Sequence, residues 1–230
     1  MEDSKIRSLL GRTYAPFFSR FGGFTDIQRE AIPPIIEGKN LFLISPAATG
    51  KTEAAAAPVI ERLLAGGAPE PVAILYAAPT RALVNDLEKR LLEPVERTGL
   101  SFAVRTGERR EIKALKPPHF LVTTPESLDS ILCRTPRILK KIKAVILDEL
   151  HLIDGTYRGD QMRILLNRLR SFAGRVDFQT VAMSATAPDP QKMGERYMAD
   201  FAVAGRGSPK TLRTFYFEEI DNAVNFMKKE

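Results

Sequence analysis

Cysteine is nearly absent from this chain, whose 230 residues include a single one, Cys133. An internal disulfide is therefore impossible, and a lone thiol is typical of the reducing cytoplasm, where we expect this protein to be found. The sequence also has no apolar run long enough to span a bilayer, and segment 1–12 lacks the apolar core of a secretory signal. These absences predict a cytoplasmic protein that does not enter a membrane.

The composition is that of a globular protein with a mild excess of positive charge. Hydrophobic residues make up 44% of the chain and charged residues 27%, which is enough for one sizeable core. The formal net charge is +6 and the sequence pI is about 9.5. This excess favours a polyanion as partner, but a solvated basic surface explains it equally well.

Apolar runs of strand length alternate with helical patterns along the chain. Strands are predicted at 41–44, 72–77, 102–105, 120–123, 144–147 and 178–183, and helices at 4–10, 26–37, 53–57, 81–97, 126–132 and 161–172. This alternation predicts an α/β domain with a mostly parallel central sheet and helices on both faces. We expect the domain to cover residues 1–204, followed at 205–230 by a linker and the start of a truncated further domain.

Segment 45–52, S-P-A-A-T-G-K-T, follows the first predicted strand and matches the end of a phosphate-binding loop. Gly50 permits the turn, Lys51 has the ammonium that reaches the β and γ phosphates, and Thr52 has the hydroxyl for Mg²⁺. The match is partial, because Ser45 stands where the pattern has its first glycine. A glycine-terminated turn with a solvated lysine is the alternative.

A second motif, D-E-L-H, directly follows the apolar strand 144–147. Asp148 is suited to hold Mg²⁺, and Glu149 is suited to accept the proton of a water that attacks the γ phosphate. The alternative is a helix cap, although two adjacent carboxylates repel unless a cation neutralises them. His151 either has a structural role or faces the nucleotide and relays its state.

Segment 24–28, F-T-D-I-Q, precedes the loop and combines a helix start with an amide. Thr25 is predicted to cap a helix whose first turn contains Gln28. A glutamine amide can accept a hydrogen bond from N6 of adenine and donate one to N7. A nearby aromatic would stack on the base, although clusters of aromatics such as the one around residues 14–24 commonly belong to a core.

Seven short motifs in this order resemble the first RecA-like domain of a superfamily-two helicase: F-T-x-x-Q, x-x-x-T-G-K-T, P-T-R-A-L, T-G-E, T-P-E, D-E-L-H and S-A-T. The D-E-L-H box, the T-G-E element and Arg158-Gly159 are more similar to the DExH branch, with its Lhr-like and Ski-type enzymes, than to the DEAD-box proteins. The resemblance implies a RecA-like P-loop fold, ATP and Mg²⁺ as cofactors, and single-stranded or duplex DNA or RNA as partner.

The resemblance also implies that the parent protein is an ATP-dependent helicase with a second RecA-like domain. Arginines of that domain would reach the γ phosphate and stabilise the transition state, an effect of about 10³ to 10⁵ in rate in related systems. We therefore expect the chain up to Glu230 to be half of the catalytic unit. It would bind ATP and a strand, hydrolyse ATP slowly and unwind nothing unaided.

Each motif position has a role that the resemblance implies. The adenine contacts would be Phe21, Phe24, Thr25 and Gln28. The phosphate loop would comprise Ser45, Pro46, Ala47, Ala48, Thr49, Gly50, Lys51 and Thr52. Catalysis would depend on Lys51, Asp148 and Glu149, with the metal at Thr52, Asp148 and Glu149. The nucleic-acid contacts would be Pro79, Thr80, Arg81, Ala82, Thr106, Gly107, Glu108, Thr124, Pro125 and Glu126. The coupling residues would be His151, Ser184, Ala185 and Thr186, with Ser184 and Thr186 hydrogen-bonded toward Asp148.

Ala48 occupies a loop position at which these helicases usually have glycine. Its Cβ restricts access to positive φ and would crowd a phosphate. We therefore expect a loop that rests closed or distorted, with weaker nucleotide affinity than a glycine loop has.

Two functions of other classes stay open. A P-loop kinase or phosphotransferase would use Glu149 as base for an acceptor hydroxyl and would need a lid of arginines, for which the basic residues within 105–116 and 134–143 are candidates. T-P-E and S-A-T would then be unexplained. A nucleic-acid scaffold without turnover is favoured by Ala48 and disfavoured by the intact Lys51, Thr52, Asp148 and Glu149. The basic clusters agree equally well with a solvated surface and with strand binding.

Overall fold

The computed structural model describes residues 3–67, 70–107, 117–172 and 178–204. Within these ranges the strands are β1 (Leu41–Ile44), β2 (Ile74–Ala77), β3 (Phe102–Arg105), β4 (Phe120–Thr123), β5 (Ala144–Leu147), β6 (Gln179–Ser184) and β7 (Phe201–Ala204). The helices are α1 (Asp3–Leu9), α2 (Tyr14–Phe18), α3 (Asp26–Ile36), α4 (Lys51–Ala65), α5 (Arg81–Glu96), α6 (Pro125–Arg134), α7 (Tyr157–Phe172) and α8 (Pro190–Arg196). Two 3₁₀ turns cover Pro136–Leu139 and Leu150–Leu152. The predicted linker, the start of a further domain and basic positions 109–116 lie outside the described residues.

All described strands belong to one seven-stranded sheet in the order β3-β4-β2-β5-β6-β1-β7. Every pairing between these strands is parallel. Parallel strands need long crossover connections, and four of those here contain helices that the alternating pattern predicted, α4, α5, α6 and α7. The predicted α/β fold with a parallel sheet is confirmed.

Helices cover both faces of the sheet, because successive side chains of each strand point to opposite sides. On β1, Leu41 and Leu43 pack in the core that contains residues of α1 to α5, whereas Phe42 packs in the core with α6, α7 and α8. On β2, Tyr76 packs in the core with α1 to α5, and Leu75 packs in the core with α6, α7 and α8. Strands buried on both faces read as continuous apolar runs rather than as alternating ones.

Several element boundaries differ from the predicted ones for local reasons. β2 begins at Ile74 rather than at residue 72, because Val72 has a φ of 54°, which an extended strand excludes. α7 begins at Tyr157, ahead of the predicted 161, since its first turn is mostly polar and shows no apolar period. The helices α2 and α8 and the strand β7 were not predicted; each is seven residues or shorter.

The strand order divides the carboxyl edge of the sheet into two halves. β5, β6 and β1 are neighbours, and they lead into the D-E-L-H box, the S-A-T element and the phosphate loop. β3, β4 and β2 are neighbours, and they lead into the T-G-E, T-P-E and P-T-R-A-L elements. Ligands of open α/β sheets bind at this edge. The motifs predicted for nucleotide and those predicted for nucleic acid therefore lie side by side.

Candidate nucleotide and nucleic-acid site

The loop between β1 and α4 contains two residues with positive φ, Ala48 at 61° and Gly50 at 85°. A side chain at Gly50 would be strained by the positive φ, and its Cβ would displace Nε2 of Gln28. Ala48 adopts the left-handed conformation despite its Cβ, which costs about 1–2 kcal/mol. The loop thus has positive φ at the position where a glycine is usual and carries the strain of an alanine there.

Lys51 is the first residue of α4, and its ammonium lies within the loop. Nζ donates hydrogen bonds to the carbonyl oxygens of Ser45, at 2.5 Å, and of Pro46, at 3.0 Å. Burial lowers the pKa of Lys51, whereas the nearby carboxylates of Glu149 and Asp148 raise it. The lysine is therefore folded back on the loop, with two of its three N–H groups bonded to loop carbonyls.

Thr25 and Gln28 are bonded to the same loop. The Thr25 hydroxyl donates to the carbonyl of Thr49 at 2.8 Å, and Nε2 of Gln28 donates to the carbonyl of Gly50 at 3.3 Å. Oε1 of Gln28 accepts from the backbone N–H of Thr25 at 3.0 Å, so Thr25 is the N-cap of α3 as predicted. Each end of the Gln28 amide is bonded to protein, which takes up one of the two N–H groups of Nε2 and one of the two lone pairs of Oε1.

Phe21 and Phe24 line one cavity of about 390 Å³ beside α1 and α2. Phe24 is buried, with its ring centroid 5.0 Å from that of Phe18, and belongs to the core. Phe21 is 45% exposed, and the guanidinium carbon of Arg20 lies 4.9 Å from its ring centroid. Of the two aromatic residues predicted to contact adenine, Phe21 is the accessible one.

Asp148 is buried at the carboxyl end of β5 and is held by two hydrogen bonds. Its Oδ2 accepts from the hydroxyl of Tyr76 at 2.8 Å, and its Oδ1 accepts from the backbone N–H of Glu149 at 2.9 Å. Burial raises the pKa of Asp148 to about 6; the Glu149 charge adds to this effect, and the Tyr76 hydrogen bond opposes it. A carboxylate buried in this way favours a cation beside it.

Tyr76 is a site residue that the sequence analysis missed. The side chain is fully buried in β2, and its hydroxyl is hydrogen-bonded to the side chains of Asp148 and Thr52. Burial and the charge of Asp148 raise the pKa of this phenol well above its usual value. The signal was a tyrosine in an otherwise apolar strand, since a buried tyrosine hydroxyl needs a partner. Tyr76 thus joins the phosphate loop to the D-E-L-H box.

Glu149 turns the chain out of β5 with a φ of 43°. Its Oε2 lies 3.2 Å from Nδ1 of His151. The same nitrogen lies 3.4 Å from the backbone nitrogen of Ala185. Because a ring nitrogen cannot accept a hydrogen bond from this amide and also donate one to the carboxylate, we assign Nδ1 as the acceptor of the Ala185 N–H. Among the described residues, Oε2 of Glu149 and Oγ of Ser45 are the two buried side-chain oxygens without a hydrogen-bond partner. Both lie at the nucleotide motifs, where a ligand or water would satisfy them.

The S-A-T element contacts the D-E-L-H box differently from the prediction. Oγ of Ser184 donates to the carbonyl of Thr186 at 2.6 Å, so its single proton is not available to Asp148. The predicted hydrogen bond from Ser184 toward Asp148 is therefore wrong, because a tight local turn takes up the hydroxyl. The two motifs meet instead through Ala185 and His151, and the Ser184 carbonyl accepts from the backbone N–H of Ser45 at 3.2 Å.

The second group of motifs lines a cavity of about 570 Å³, which we call the ledge cavity. Its lining comprises Pro79, Thr80, Arg81, Arg105, Thr106, Gly107, Thr124, Glu126, Ser127, Ser130, Arg134 and Arg158. Ala82 and Pro125 lie in the first turns of α5 and α6 without lining it, and Glu108 lies outside the described residues. Most of the predicted nucleic-acid contacts are therefore brought together.

Two threonine hydroxyls of the ledge cavity cap helices. Oγ1 of Thr80 accepts from the backbone N–H of Leu83 at 3.2 Å, and Oγ1 of Thr124 accepts from that of Ser127 at 3.4 Å. The N-termini of α5 and α6 therefore border the cavity. Helix N-termini and arginines together suit the phosphates of a nucleic-acid backbone.

The described ranges contain no group of three or more His, Cys, Asp or Glu side chains placed to hold a metal ion. A divalent cation at Asp148 would thus depend on one or two protein ligands and on phosphate oxygens, which is the usual binding mode of Mg²⁺. Over the same part of the chain, no helix has the length and apolar character that crossing a bilayer requires.

Comparison with known proteins agrees with these observations. The family model for the DEAD/DEAH box helicase matches residues 25–193. The chain is 33% identical to the ATP-dependent helicase Lhr-Core of Methanothermobacter thermautotrophicus, over 94% of this chain and 27% of the relative. It is 30% identical to the ATP-dependent DNA helicase Hel308 of Methanocaldococcus jannaschii, over 82% of this chain and 16% of the relative. The chain thus spans about a quarter or less of these relatives.

Solved structures show the same fold. The helicase Lhr of Mycobacterium smegmatis, in a structure bound to ssDNA and AMP-PNP, superposes with a TM-score of 0.76 at 25% identity, covering 95% of this chain and 32% of that one. The DEAD-box helicase Mss116, bound to ssRNA and UDP-BeF, shares the fold with a TM-score of 0.74 at 20% identity, over 87% of this chain and 45% of that one. With a RecA-like fold and a family model that covers most of its length, this chain belongs to the DEAD/DEAH box helicase family.

Proposed function

We propose that this chain is the ATP-binding N-terminal RecA-like motor domain of an ATP-dependent helicase that acts on DNA or RNA. The division of one sheet edge into two adjacent halves carries this proposal, with nucleotide motifs after β5, β6 and β1 and the ledge cavity after β3, β4 and β2. A motor needs both halves, because the state of the nucleotide must alter contacts with a strand. A kinase needs only the first half.

The phosphates of ATP are proposed to bind loop 45–52 and the N-terminus of α4. Lys51 would exchange its two carbonyl partners for β and γ phosphate oxygens. Thr52 and Asp148 are the proposed holders of Mg²⁺, and their shared contact with Tyr76 supports this assignment. When bound, Mg²⁺ would neutralise charge on the phosphates. The two unpartnered buried oxygens, of Ser45 and Glu149, are consistent with a ligand at this position.

Glu149 is the proposed acceptor of the proton from the attacking water. Its Oε2 is buried and has no hydrogen-bond partner, so its lone pairs are available for such a water. Lys51 would stabilise negative charge at the γ phosphate. Arginines from a second RecA-like domain are proposed to complete the site, which would make hydrolysis by this domain alone slow.

The ledge cavity is proposed to hold a single strand through its phosphates. Arg81, Arg105 and Arg134 line it together with the N-termini of α5 and α6. Contacts of this kind carry no sequence information and are common to DNA and RNA. A cytoplasmic location, expected from the single cysteine, stays a prediction.

Equilibrium binding of a fluorescent ATP analogue with Mg²⁺ tests the nucleotide site. We expect the chain to bind the analogue and the Lys51→Ala variant to lose binding. Lys192→Ala is the matched control, because Lys192 lies in α8, is exposed and pairs with Asp189, the residue before that helix. A folded chain that binds no analogue, or that binds it equally well without Lys51, would contradict the proposal.

The class of activity is tested by measuring ATP turnover. This measurement needs a longer protein in which the chain is joined to its second RecA-like domain. A helicase motor hydrolyses ATP faster when single-stranded nucleic acid is added, a kinase requires an acceptor hydroxyl, and a scaffold shows no turnover. Glu149→Gln is expected to retain ATP binding and to lose about 10²–10⁴ in turnover. Strand separation by residues 1–230 alone would refute the requirement for a second domain.

A further inference from the structure

Arg158 lies in the first turn of α7 and makes three hydrogen bonds to two other segments of the ledge cavity. Its Nε and Nη2 donate to Oε1 of Glu126 at 2.9 and 2.6 Å. Nη2 also donates to the backbone carbonyl of Pro79. The Arg158 side chain is only 25% exposed, so most of the guanidinium is enclosed by these partners.

The two partners belong to loops that follow neighbouring strands. Pro79 follows β2, and Glu126 lies in the first turn of α6, directly after β4. The ladder between β2 and β4 ends at Ala77 and Thr123, before the loop that contains Pro79 and before α6. Arg158 supplies a connection at this point. A planar guanidinium can bond a carboxylate and a carbonyl in one fixed geometry, which a lysine ammonium cannot reproduce.

The backbone next to Arg158 is closely packed, since Gly159 lies against other backbone. A Cβ at Gly159 would lie 2.5 Å from the carbonyl oxygen of Ile153 and 2.9 Å from the hydroxyl of Tyr197. The carbonyl of Ile153 also accepts from the backbone N–H and the hydroxyl of Thr156, at 3.0 and 2.6 Å. The start of α7 is therefore fixed to the segment that continues from the D-E-L-H box.

Glu126 would be an unfavourable neighbour for a phosphate if it stood alone. Burial by itself raises its pKa, but hydrogen bonds from its own backbone N–H and from Arg158, together with the charge of that guanidinium, lower the pKa below its usual value. The carboxylate is thus ionised and is neutralised by Arg158. Removal of Arg158 leaves the Glu126 charge uncompensated, and removal of Glu126 does the same to Arg158. Either change also removes the connection between α7 and the start of α6.

We propose that Arg158 is a positioning residue of the nucleic-acid site, which holds the Pro79 and Glu126 segments in the arrangement that a strand requires and does not itself contact phosphate. This inference rests on the proposed function of the ledge cavity. A direct phosphate contact by Arg158 is the competing explanation. If Arg158 positions the two segments, Glu126 supports strand binding. If Arg158 contacts phosphate directly, Glu126 repels the strand.

Binding of fluorescently labelled oligo-dT and oligo-U, measured over a series of salt concentrations, separates the two explanations. Arg158→Lys keeps the positive charge and loses the planar donor geometry of the guanidinium, and Glu126→Ala removes a negative charge from the cavity. We expect each variant to weaken binding about tenfold, as for loss of a charge-assisted hydrogen bond. The double variant should bind no more weakly than either single one, because both remove the same connection. The doubly neutral variant Arg158→Gln/Glu126→Gln, which leaves neither charge of the pair in the cavity, should leave the salt dependence unchanged.

The matched control is Arg163→Lys, on the same helix, whose guanidinium pairs with Asp160 and does not line the cavity. It should bind as the original chain does. Tighter or unchanged binding by Glu126→Ala would overturn the inference. So would full affinity of Arg158→Lys, or a salt slope that falls by about 0.7 in Arg158→Gln/Glu126→Gln, the value for one lost phosphate contact on a single strand.

Binding of the ATP analogue distinguishes failure of the fold from failure of the inference. Each variant should bind the analogue as the original chain does, because Arg158 and Glu126 lie outside the nucleotide half. A variant that loses both the analogue and the strand would show a general folding defect and overturn a role confined to the ledge cavity. An original chain that binds the analogue but neither oligonucleotide at low salt would contradict the proposed ledge function itself.

Discussion

The hydroxyl of Tyr76 donates a 2.8 Å hydrogen bond to Oδ2 of Asp148. Tyr76 belongs to β2, the last strand of the ledge half, and Asp148 follows β5, the first strand of the nucleotide half. The bond therefore crosses the boundary between the two halves of the sheet edge. It also orients the carboxylate that we propose as a holder of Mg²⁺.

Removal of this hydroxyl tests its contribution to stability and to the proposed metal site. Tyr76→Phe leaves a buried carboxylate oxygen without its donor, which should cost about 1.5–3 kcal/mol of unfolding free energy at neutral pH. Binding of the ATP analogue should also require more Mg²⁺, because Asp148 is less well oriented. Urea unfolding and a Mg²⁺ titration measure the two effects. Tyr157→Phe, at a side chain that is 79% exposed, is the control and should change neither. An unaltered Mg²⁺ requirement in Tyr76→Phe would contradict the orienting role.

Asp148 is expected to reduce stability at neutral pH, because burial raises its pKa to about 6 from an ordinary value of 3.8. At about 1.36 kcal/mol for each pKa unit, this difference corresponds to about 3 kcal/mol. The stabilising effect of the retained proton is fully present below pH 3.8 and is lost as the pH rises to about 6. Asp148→Asn, which cannot ionise, should therefore be more stable than the original chain above pH 6 and about equally stable near pH 3.8.

Urea unfolding at a series of pH values, without nucleotide or metal, measures this stability gap. Asp129→Asn is the control, because Asp129 is half exposed and pairs with Arg168 at the surface. The stability of this control should stay close to that of the original chain, as for other exposed surface positions. A gap for Asp148→Asn that shrinks as the pH rises would show that the carboxylate is stabilised, not destabilised, by its surroundings.

Ala48→Gly should relieve the strain of the phosphate loop. Glycine adopts a φ of 61° without the cost of about 1–2 kcal/mol that alanine has there, although part of the gain is offset by the greater freedom of the unfolded chain. Loss of the Cβ should also let a phosphate approach more closely and tighten binding of the ATP analogue. Ala47→Gly is the control, since Ala47 does not have a positive φ and should gain neither stability nor affinity. If Ala48→Gly bound ATP no more tightly, the idea of a hindered loop would fail.

Gly159→Ala should destabilise the start of α7. The added Cβ would meet the backbone carbonyl of Ile153 at 2.5 Å, which no side-chain rotation can relieve. Overpacking of this kind costs about 1–3 kcal/mol, measured as a lower midpoint in urea unfolding. Gly22→Ala is the control, because a Cβ there has no neighbour within 4 Å. Equal stability of the two variants would mean that α7 shifts freely away from the segment after the D-E-L-H box.

Much of the candidate site could be predicted from the sequence, because its residues directly follow apolar strands or begin a helix. The loop at Lys51, the carboxylates at Asp148 and Glu149, and the cap at Thr25 all lie where local pattern indicates. The contacts among them could not be predicted in the same way. Ser184 bonds to Thr186 rather than toward Asp148, and Tyr76 takes the position next to that carboxylate. The first bond depends on the exact conformation of a short turn, and the second depends on the pairing of two strands that are 72 residues apart in the chain.

The sequence by itself determined the class of fold and the identity of the motifs, since a period of two or of 3.6 residues and the chemistry of a short segment are local properties. Only the tertiary structure decided the strand order β3-β4-β2-β5-β6-β1-β7, and with it the separation of the motifs into a nucleotide half and a ledge cavity. Strand order depends on how each crossover helix packs on a sheet face, which involves residues distant in sequence. For the same reason the roles of Tyr76 and Arg158, which join segments from different strands, are visible only once those strands are neighbours.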